Sequence, residues 1–237
     1  MHSTLRELRN SLRDAAHPEI ALRTQRFFKT GAGAYAKNDR FLGIRVPVLR
    51  QFVRQYRSLP LPAIGRLLRS PFHEERFVAL NLLIDQYRRG DAVGQQQVID
   101  CYLRNIRYVN NWDLVDCSAH HLLGEHLVTR SRRKLRVFAR SPNLWERRIA
   151  IVATMAFIAR GEFFDTIEIS RMLLRDSHDL IHKAVGWMLR EVGKRARSAE
   201  EEFLCAHYRA MPRIMLRYAI EHFPEKRRQA YLHGTVA

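Results

Sequence analysis

A helical period runs through this sequence from about residue 46 onward and limits the folds open to it. Apolar residues recur at three- and four-residue spacings in segments of about 10 to 18 residues, separated by short breaks rich in Pro, Gly, Ser, Asn or Asp. The alternating pattern of a β-strand is almost absent. The sequence therefore predicts an all-α protein.

The helical segments come in pairs. Longer helices are predicted to begin near His73, Trp112, Trp145, His178 and Arg213, and shorter segments are predicted at 93–108, 131–141, 164–175 and 199–209. This gives roughly 35 residues per pair, which is the period of helical hairpins that stack into solenoids. We predict one HEAT-like repeat domain over residues 1–237, coiled into a superhelix; a globular helical bundle is the alternative.

The charge of the chain is strongly positive. Its 41 Lys and Arg residues against 24 Asp and Glu residues give a formal net charge of +17. Such an excess concentrates polyanions at the surface, and nucleic acid is the polyanion we expect. The alternative is a solvated basic surface without a partner. An acidic membrane surface is less favoured, because neither terminus is a basic amphipathic anchor.

Cysteine usage and the N-terminus both indicate a reducing cytosol. Cys101, Cys117 and Cys205 form no CxxC pair, so the sequence predicts neither a disulfide framework nor a cysteine zinc site. The N-terminal residues lack the apolar core of a signal peptide, and no run of 18 apolar residues occurs. We expect neither secretion nor a membrane span.

The stretch FFKTGAGAYAKNDRFLGIRVPVLR, residues 27–50, interrupts the helical pattern. It combines glycines with cations, namely Gly31, Gly33, Lys29, Lys37 and Arg40, before a helix that Pro47 can begin. A basic loop containing glycine can bring its backbone close to a phosphate, although the spacing of a P-loop is missing. A plain connector fits the same residues.

The stretch NNWDLVD, residues 110–116, contains the strongest catalytic candidate. Asn110 or Asn111 can cap a helix that begins at Trp112, and Asp113 in its first turn then has the structural role of balancing the helix dipole. The buried stripe runs through Val115, Ala119, Leu122 and Leu123, and both Trp112 and Asp116 lie along its border. Asp116 is therefore a shielded carboxylate beside an indole. The alternative is an edge aspartate paired with an arginine.

Two later helices carry further candidates. In NLWERRIAIVATMAFIARG, Asn143 and Glu146 have the spacing of a capping box, and Arg148 falls on the apolar face. That arginine forms either a structural ion pair or a cation directed at a ligand. In HDLIHKAVGWMLREVGKRA, Trp187 borders the buried stripe among cations that suit a phosphate backbone: Lys183, Arg190 and Lys194. A core tryptophan is the alternative.

In the same helix, His178 and His182 share one face, as the two zinc ligands of an HExxH motif do. Asp179 stands where that motif has its glutamate, and no third ligand is evident, so no metal or other cofactor is expected.

These stretches resemble the AlkD family of DNA alkylation repair glycosylases. The resemblance extends over nearly the whole chain, from RFFKTGAGAY and FLGIRVPVLR through NNWDLVD to MPRIMLRYAIEHFP. It implies a right-handed HEAT-like superhelix with a concave basic groove. It also implies hydrolytic removal of positively charged alkylated purines from double-stranded DNA, by a monomer that acts in the cytosol at the nucleoid.

The resemblance also assigns roles to residues. It implies that Asp116 is the catalytic carboxylate, that Arg148 grips the DNA, and that Trp112 and Trp187 embrace the sugar of the lesion. Phe27 stands where some members have a tyrosine, so one hydroxyl contact is missing. Some relatives bind DNA structures without excising a base, and a non-catalytic module for branched or damaged nucleic acid is therefore the alternative function. A protein-binding scaffold is disfavoured by the positive charge.

Overall fold

The computed structural model describes residues 4–31, 33–37 and 39–236, and these residues form sixteen α-helices. The helices are α1 Leu5–Asp14, α2 Pro18–Phe27, α3 Val46–Gln55, α4 Leu61–Leu68, α5 His73–Arg89, α6 Ala92–Arg104, α7 Trp112–Ser118, α8 Glu125–Leu127, α9 Arg133–Ala139, α10 Leu144–Ala153, α11 Met155–Ile158, α12 Phe164–Met172, α13 Asp179–Gly193, α14 Arg197–His207, α15 Arg213–Ala219 and α16 Glu225–His233. Within the described ranges no strand forms, and the all-α prediction is confirmed.

The predicted helix starts agree with the structure. The helices α5, α7, α10, α13 and α15 begin at or next to the residues expected for the longer helices, and α6, α9, α12 and α14 lie where the second segments are predicted. The predicted difference in length does not hold throughout, since α7 and α15 have only 7 residues each, fewer than α6 and α14. Side-chain caps fix several of these starts. Thr4 and Glu7 form a reciprocal capping box at α1, and Asn143 accepts a hydrogen bond from the Trp145 N–H at α10. The expected reciprocal box with Glu146 is replaced by this single cap.

The chain divides into two compact units, Met1–Ser118 and Ala119–Ala237, called here the N-terminal and C-terminal units. In the N-terminal unit α5 is the central helix and packs against α3, α4, α6 and α7. In the C-terminal unit α10 packs on α13 and α13 on α15, while α9 packs on α12. The first helices of successive pairs thus stack on each other, and so do the second helices, which is the packing of helical repeats.

Close packing between helices explains why two buried positions are glycine. A Cβ atom on Gly186 would lie 2.4 Å from the carbonyl oxygen of Met215 in α15, and one on Gly124 would lie 2.4 Å from that of Ala153 in α10. The missing side chain of Gly186 therefore lets α13 and α15 approach each other.

Candidate active site

Trp112 begins α7 on a support of aromatic rings. Its half-buried indole stacks on the buried Phe28 ring, with centroids 5.4 Å apart and planes at 25°. The ring of Phe27, 67% exposed, meets the indole edge at 5.9 Å. Phe28 in turn stacks on Phe41, so the indole has a fixed apolar backing. Because Phe27 is exposed, part of this aromatic group remains accessible to a ligand from solvent.

Asp113 has a larger role than the sequence predicts. Its Oδ1 atom accepts the N–H of Leu114 at 2.8 Å, as expected for an acid in the first turn. Its Oδ2 atom lies 2.7 Å from Nε2 of His73, the first residue of α5. Asp113 is thus a first-turn acid with a structural role, as predicted, and it also contacts a buried imidazole, which the sequence pattern does not indicate.

The imidazole of His73 bridges two carboxylates. Its Nδ1 atom lies 3.4 Å from Oδ2 of Asp39, which follows the glycine-containing loop. Asp39 also accepts hydrogen bonds from Arg76 at 2.6 Å and from the side-chain amide of Asn111 at 2.9 Å. All four of these side chains are buried, and Asp113 closes the network at the start of α7. We call these five residues the His73 network.

The His73 network is charged. Burial alone would lower the pKa of His73, but the charge of Asp113 and hydrogen bonds to Asp113 and Asp39 raise it to about 9. Burial would also raise the pKa of Asp39, yet the hydrogen bond of His73 and the charge of Arg76 hold it below its usual value. An imidazolium between two carboxylates is therefore the form present near neutral pH.

Asn111 and Asp39 fasten the start of α7 to the preceding loop. The side-chain oxygen of Asn111 accepts the Trp112 N–H at 2.8 Å while its amide donates to Asp39. Asn111 is fully buried, which confirms the expectation that an asparagine supports this helix start. The position of Trp112 is thus set both by ring stacking and by backbone hydrogen bonding.

Asp116 lies one helical turn after Trp112 and is half-buried on α7. Val115, on the buried side of the helix, is fully enclosed, so Asp116 lies at the border of the core as the sequence predicts. Burial raises the pKa of the neighbouring Cys117 thiol, and the negative charges of Asp113 and Asp116 raise it further. Cys117 is therefore a neutral thiol and a poor nucleophile.

Among the described residues of the loop that supports Phe28 and Asp39, two exposed residues have left-handed backbone. Lys29 has a φ of 53° and Gly33 a φ of 76°. Both are exposed, as are Lys37 and Arg40. Residues 32 and 38 of the predicted phosphate loop lie outside the described residues. The cations of this loop therefore face solvent, and contact with a phosphate stays a prediction.

Arg148 is buried in α10 of the C-terminal unit. Its side chain is on the apolar face, as predicted, and Nη1 donates a hydrogen bond to the backbone carbonyl of Leu180 at the start of α13. That bond gives Arg148 a structural role between two helices of this unit. A role in gripping DNA stays a prediction.

Trp187 is half-buried at the edge of α13, and its cationic neighbours all have acidic partners. Lys183 lies 3.2 Å from Asp179 and Lys194 lies 2.7 Å from Glu191, while Arg190 contacts Glu221 and Glu191. Partly exposed pairs of this kind contribute only about 0–1 kcal/mol each. Lys183 can therefore exchange its carboxylate for a phosphate at little cost, whereas Lys194 and Arg190 both contact Glu191, which is buried.

Comparison with known proteins identifies the family. The model of the family described as DNA alkylation repair enzyme matches residues 8–223. This chain belongs to that family. A solved structure described as a predicted DNA alkylation repair enzyme from Enterococcus faecalis has the same fold, with a TM-score of 0.70 at 17% identity over 89% of this chain and 97% of the other. No curated protein matches the sequence.

In this family member, the residues predicted for the site fall into two groups. Phe27, Lys29, Trp112 and Asp116 belong to the N-terminal unit, where Phe27 and Trp112 are in contact. The C-terminal unit contains the remaining predicted side chains, which are Arg148, Lys183, Trp187, Arg190 and Lys194.

Sequence reasoning missed His73 and Asp39. A usable pattern was HEERFVALNLLI, in which four charged residues, 73–76, precede an apolar run at the start of a helix. Four consecutive residues cover every face of a helix, so some of these charges had to face the interior. In the structure all four are buried. Glu74 accepts the backbone N–H groups of residues 42–44, and Glu75 pairs with Arg9 at 3.1 Å.

The histidine pair of α13 has local structural roles. Nδ1 of His178 accepts the N–H of Leu180 as a helix cap, and Nε2 of His182 lies 2.5 Å from the Asp176 carbonyl oxygen. In the part of the chain that the structure describes, no group of three or more His, Cys, Asp or Glu side chains is arranged to hold a metal ion. The same part contains no helix with the length and apolar character needed to cross a membrane.

Proposed function

We propose that this protein is a DNA glycosylase that hydrolyses the N-glycosidic bond of positively charged alkylated purines, such as 7-methylguanine and 3-methyladenine, in duplex DNA. Membership of the DNA alkylation repair family and the net charge of +17 support this proposal. The observation that carries it is the placement of Asp116 one turn after an indole that is fixed by ring stacking and backbone hydrogen bonding.

The proposed chemistry requires few catalytic groups. Alkylation gives the purine a positive charge, so it leaves with the electron pair of the glycosidic bond and needs no general acid. Positive charge then develops on the deoxyribose. The carboxylate of Asp116 stabilises that charge and orients a water molecule, whose oxygen bonds to the anomeric carbon as its proton passes to the solvent. The products are the free purine and an abasic site.

The half-buried position of Asp116 suits this role. A carboxylate at the border of a core acts through a lower effective dielectric than one in open water, so its attraction for a developing cation is stronger. The rigid support of α7 also limits reorganisation during the reaction. Trp112 and Phe27 offer aromatic surface to the sugar and neighbouring base without a deep enclosing pocket.

DNA binding is proposed to use cations of both units. Lys29 is exposed beside Phe27, and Lys183, Arg190 and Lys194 surround Trp187. Aromatic side chains among cations suit a sugar–phosphate backbone, and Arg148 is proposed to add a further contact. We expect the protein to act as a monomer without a cofactor.

The direct test incubates the purified protein with methylated duplex DNA and measures free 7-methylguanine and 3-methyladenine. Release of either base by the unmodified protein, and its loss in Asp116→Asn, is the expected result. Tight binding without release from several cationic lesions would instead favour the non-catalytic module that binds branched or damaged nucleic acid.

A further inference from the structure

His73 is enclosed more tightly than a helix-starting residue requires. Its ring packs against both Phe28 and Phe41, with centroid separations of 4.9 Å and 5.0 Å. Phe28 is also the ring on which Trp112 stacks. The imidazole therefore contacts the support of Trp112 through its face and the first turn of α7 through its Nε2 atom.

The protonation state of His73 decides how many carboxylates it can hold. Both ring nitrogens face carboxylate oxygens, at 2.7 Å on Asp113 and 3.4 Å on Asp39. A neutral imidazole donates from one nitrogen only and would turn a lone pair toward the other carboxylate. The charged groups facing the ring are Asp39 from the loop, Asp113 from α7 and Arg76 from α5 itself. Donation to both acids requires the imidazolium.

We propose that the imidazolium of His73, bridging Asp39 and Asp113, is a positioning group that fixes the first turn of α7 and thereby the Trp112 indole and the Asp116 carboxylate. Its catalytic consequence rests on the glycosylase function proposed above. The positioning itself is a property of the protein without DNA.

Within the His73 network, loss of His73 affects Asp113 on α7 more than it affects Asp39. Asp39 is also held by Arg76 at 2.6 Å and by Asn111, so it keeps two donors when His73 is lost. In the described part of the chain, the Asp113 carboxylate has two hydrogen-bond partners. One is His73, and the other is the backbone N–H of the next residue, Leu114. Loss of the imidazolium therefore removes the side-chain contact that ties Asp113 to α5, and the turn that begins with Trp112 is then held by the Asn111 cap and by stacking on Phe28. A displacement of about 1 Å in a catalytic group can reduce a rate by about 100-fold.

The first experiment needs no DNA. In nuclear magnetic resonance titrations from pH 6 to 10, the ring protons of His73 should titrate with a midpoint near 9, and the indole N–H signal of Trp112 should move with the same midpoint. In Asp113→Asn the His73 midpoint should fall. A Trp112 signal that ignores the His73 titration would overturn the positioning role, whether or not the protein excises bases.

The second experiment measures single-turnover excision in His73→Gln, Asp113→Asn and the double variant. Each single variant should lose about 10- to 100-fold in rate with a smaller loss in DNA binding, and the double variant should be no slower than the slower single one, because both changes break one contact. Asp165→Asn is the matched control. This buried acid of the C-terminal unit pairs with Arg132 at 2.7 Å, and its loss should lower stability but not the rate per folded molecule.

Two outcomes would contradict the proposal in this second experiment. The first is a rate loss in His73→Gln no larger than that in Asp165→Asn, which would make His73 one more stabilising residue. The second is additive rate losses in the double variant, which would mean that the two side chains act separately. Absence of excision by the unmodified protein would concern the glycosylase function, and the titration would still decide the positioning role.

Discussion

Nε2 of His73 lies 2.7 Å from Oδ2 of Asp113, which joins the first residue of α5 to the first turn of α7. This contact involves Asp113 and not Asp116, so the two acids of NNWDLVD have different roles. Asp113 belongs to a buried charged network, whereas Asp116 lies one turn beyond Trp112 at the border of the core. A single sequence motif thus contains a structural acid and a candidate catalytic acid.

Binding to duplex DNA should weaken steeply as salt concentration rises. If five or six cations neutralise phosphates, the log–log slope of the association constant against salt should be about −5. Lys183→Ala should reduce the steepness by about one, because it removes one phosphate contact. Fluorescence anisotropy at several salt concentrations measures both slopes. A nearly flat dependence would contradict electrostatic DNA binding.

Asp116→Asn should slow single-turnover release of 7-methylguanine by about 10²- to 10³-fold, since one preorganised charge is lost from the transition state. Binding to undamaged DNA should stay the same or tighten, because a negative charge facing phosphates is removed. Asp113→Asn is unsuitable as a control because Asp113 binds His73. Asp100→Asn, an exposed acid on α6, is the matched control and should retain full activity. Equal rates in both variants would mean that another group is catalytic.

Arg148→Ala and Trp187→Ala should behave differently. Arg148 is buried and bonded to the Leu180 carbonyl, so its loss should lower the free energy of unfolding by about 1–3 kcal/mol as well as weaken DNA binding. Trp187 is half-buried at a helix edge, so its loss should mainly weaken capture of lesion-containing DNA. Urea unfolding and anisotropy measure the two effects. Global unfolding of Trp187→Ala would show that this indole is a core residue.

Stability should depend on the protonation of His73. Because its pKa rises from 6.5 to about 9 on folding, its contribution is complete below pH 6.5 and is lost as the pH approaches and passes 9. The full contribution is about 3 kcal/mol. His73→Gln should therefore lower the free energy of unfolding at pH 6 and flatten its decline toward pH 9. Equal pH profiles for the variant and the unmodified protein would contradict the raised pKa.

Glu200 should weaken the fold at alkaline pH. Burial raises its pKa from 4.5 to about 8, although Arg197 lies 3.5 Å away, so its contribution to stability falls as the pH rises from about 4.5 through 8. Glu200→Gln should raise the free energy of unfolding at pH 9 by roughly 2–4 kcal/mol and change it little at pH 4. Urea unfolding at both pH values checks the sign. A destabilising effect at pH 9 would show that the Arg197 pair outweighs burial.

Local patterns along the chain were enough to predict where the helices begin and which helix faces carry the candidate site residues. Helical periodicity is a local property, so α5, α7, α10, α13 and α15 begin where the pattern predicts. The same periodicity places Arg148 on a buried face and both Trp112 and Asp116 at a border, because faces follow from spacing along one helix. The family resemblance then supplied roles for these positions, which stay predictions.

Contacts between charged groups depend on how separate elements pack, and local patterns do not contain that information. Asp39 and His73 are 34 positions apart, and His73 and Asp113 are 40 apart, so no pattern within one helix relates them. The same limit explains Gly186, whose neighbour is α15 rather than its own helix. Burial of a charge depends on partners brought by other elements, and those partners are set by packing. The sequence thus determined the faces of the helices, and tertiary packing decided that the first acid of NNWDLVD is held by a buried imidazolium.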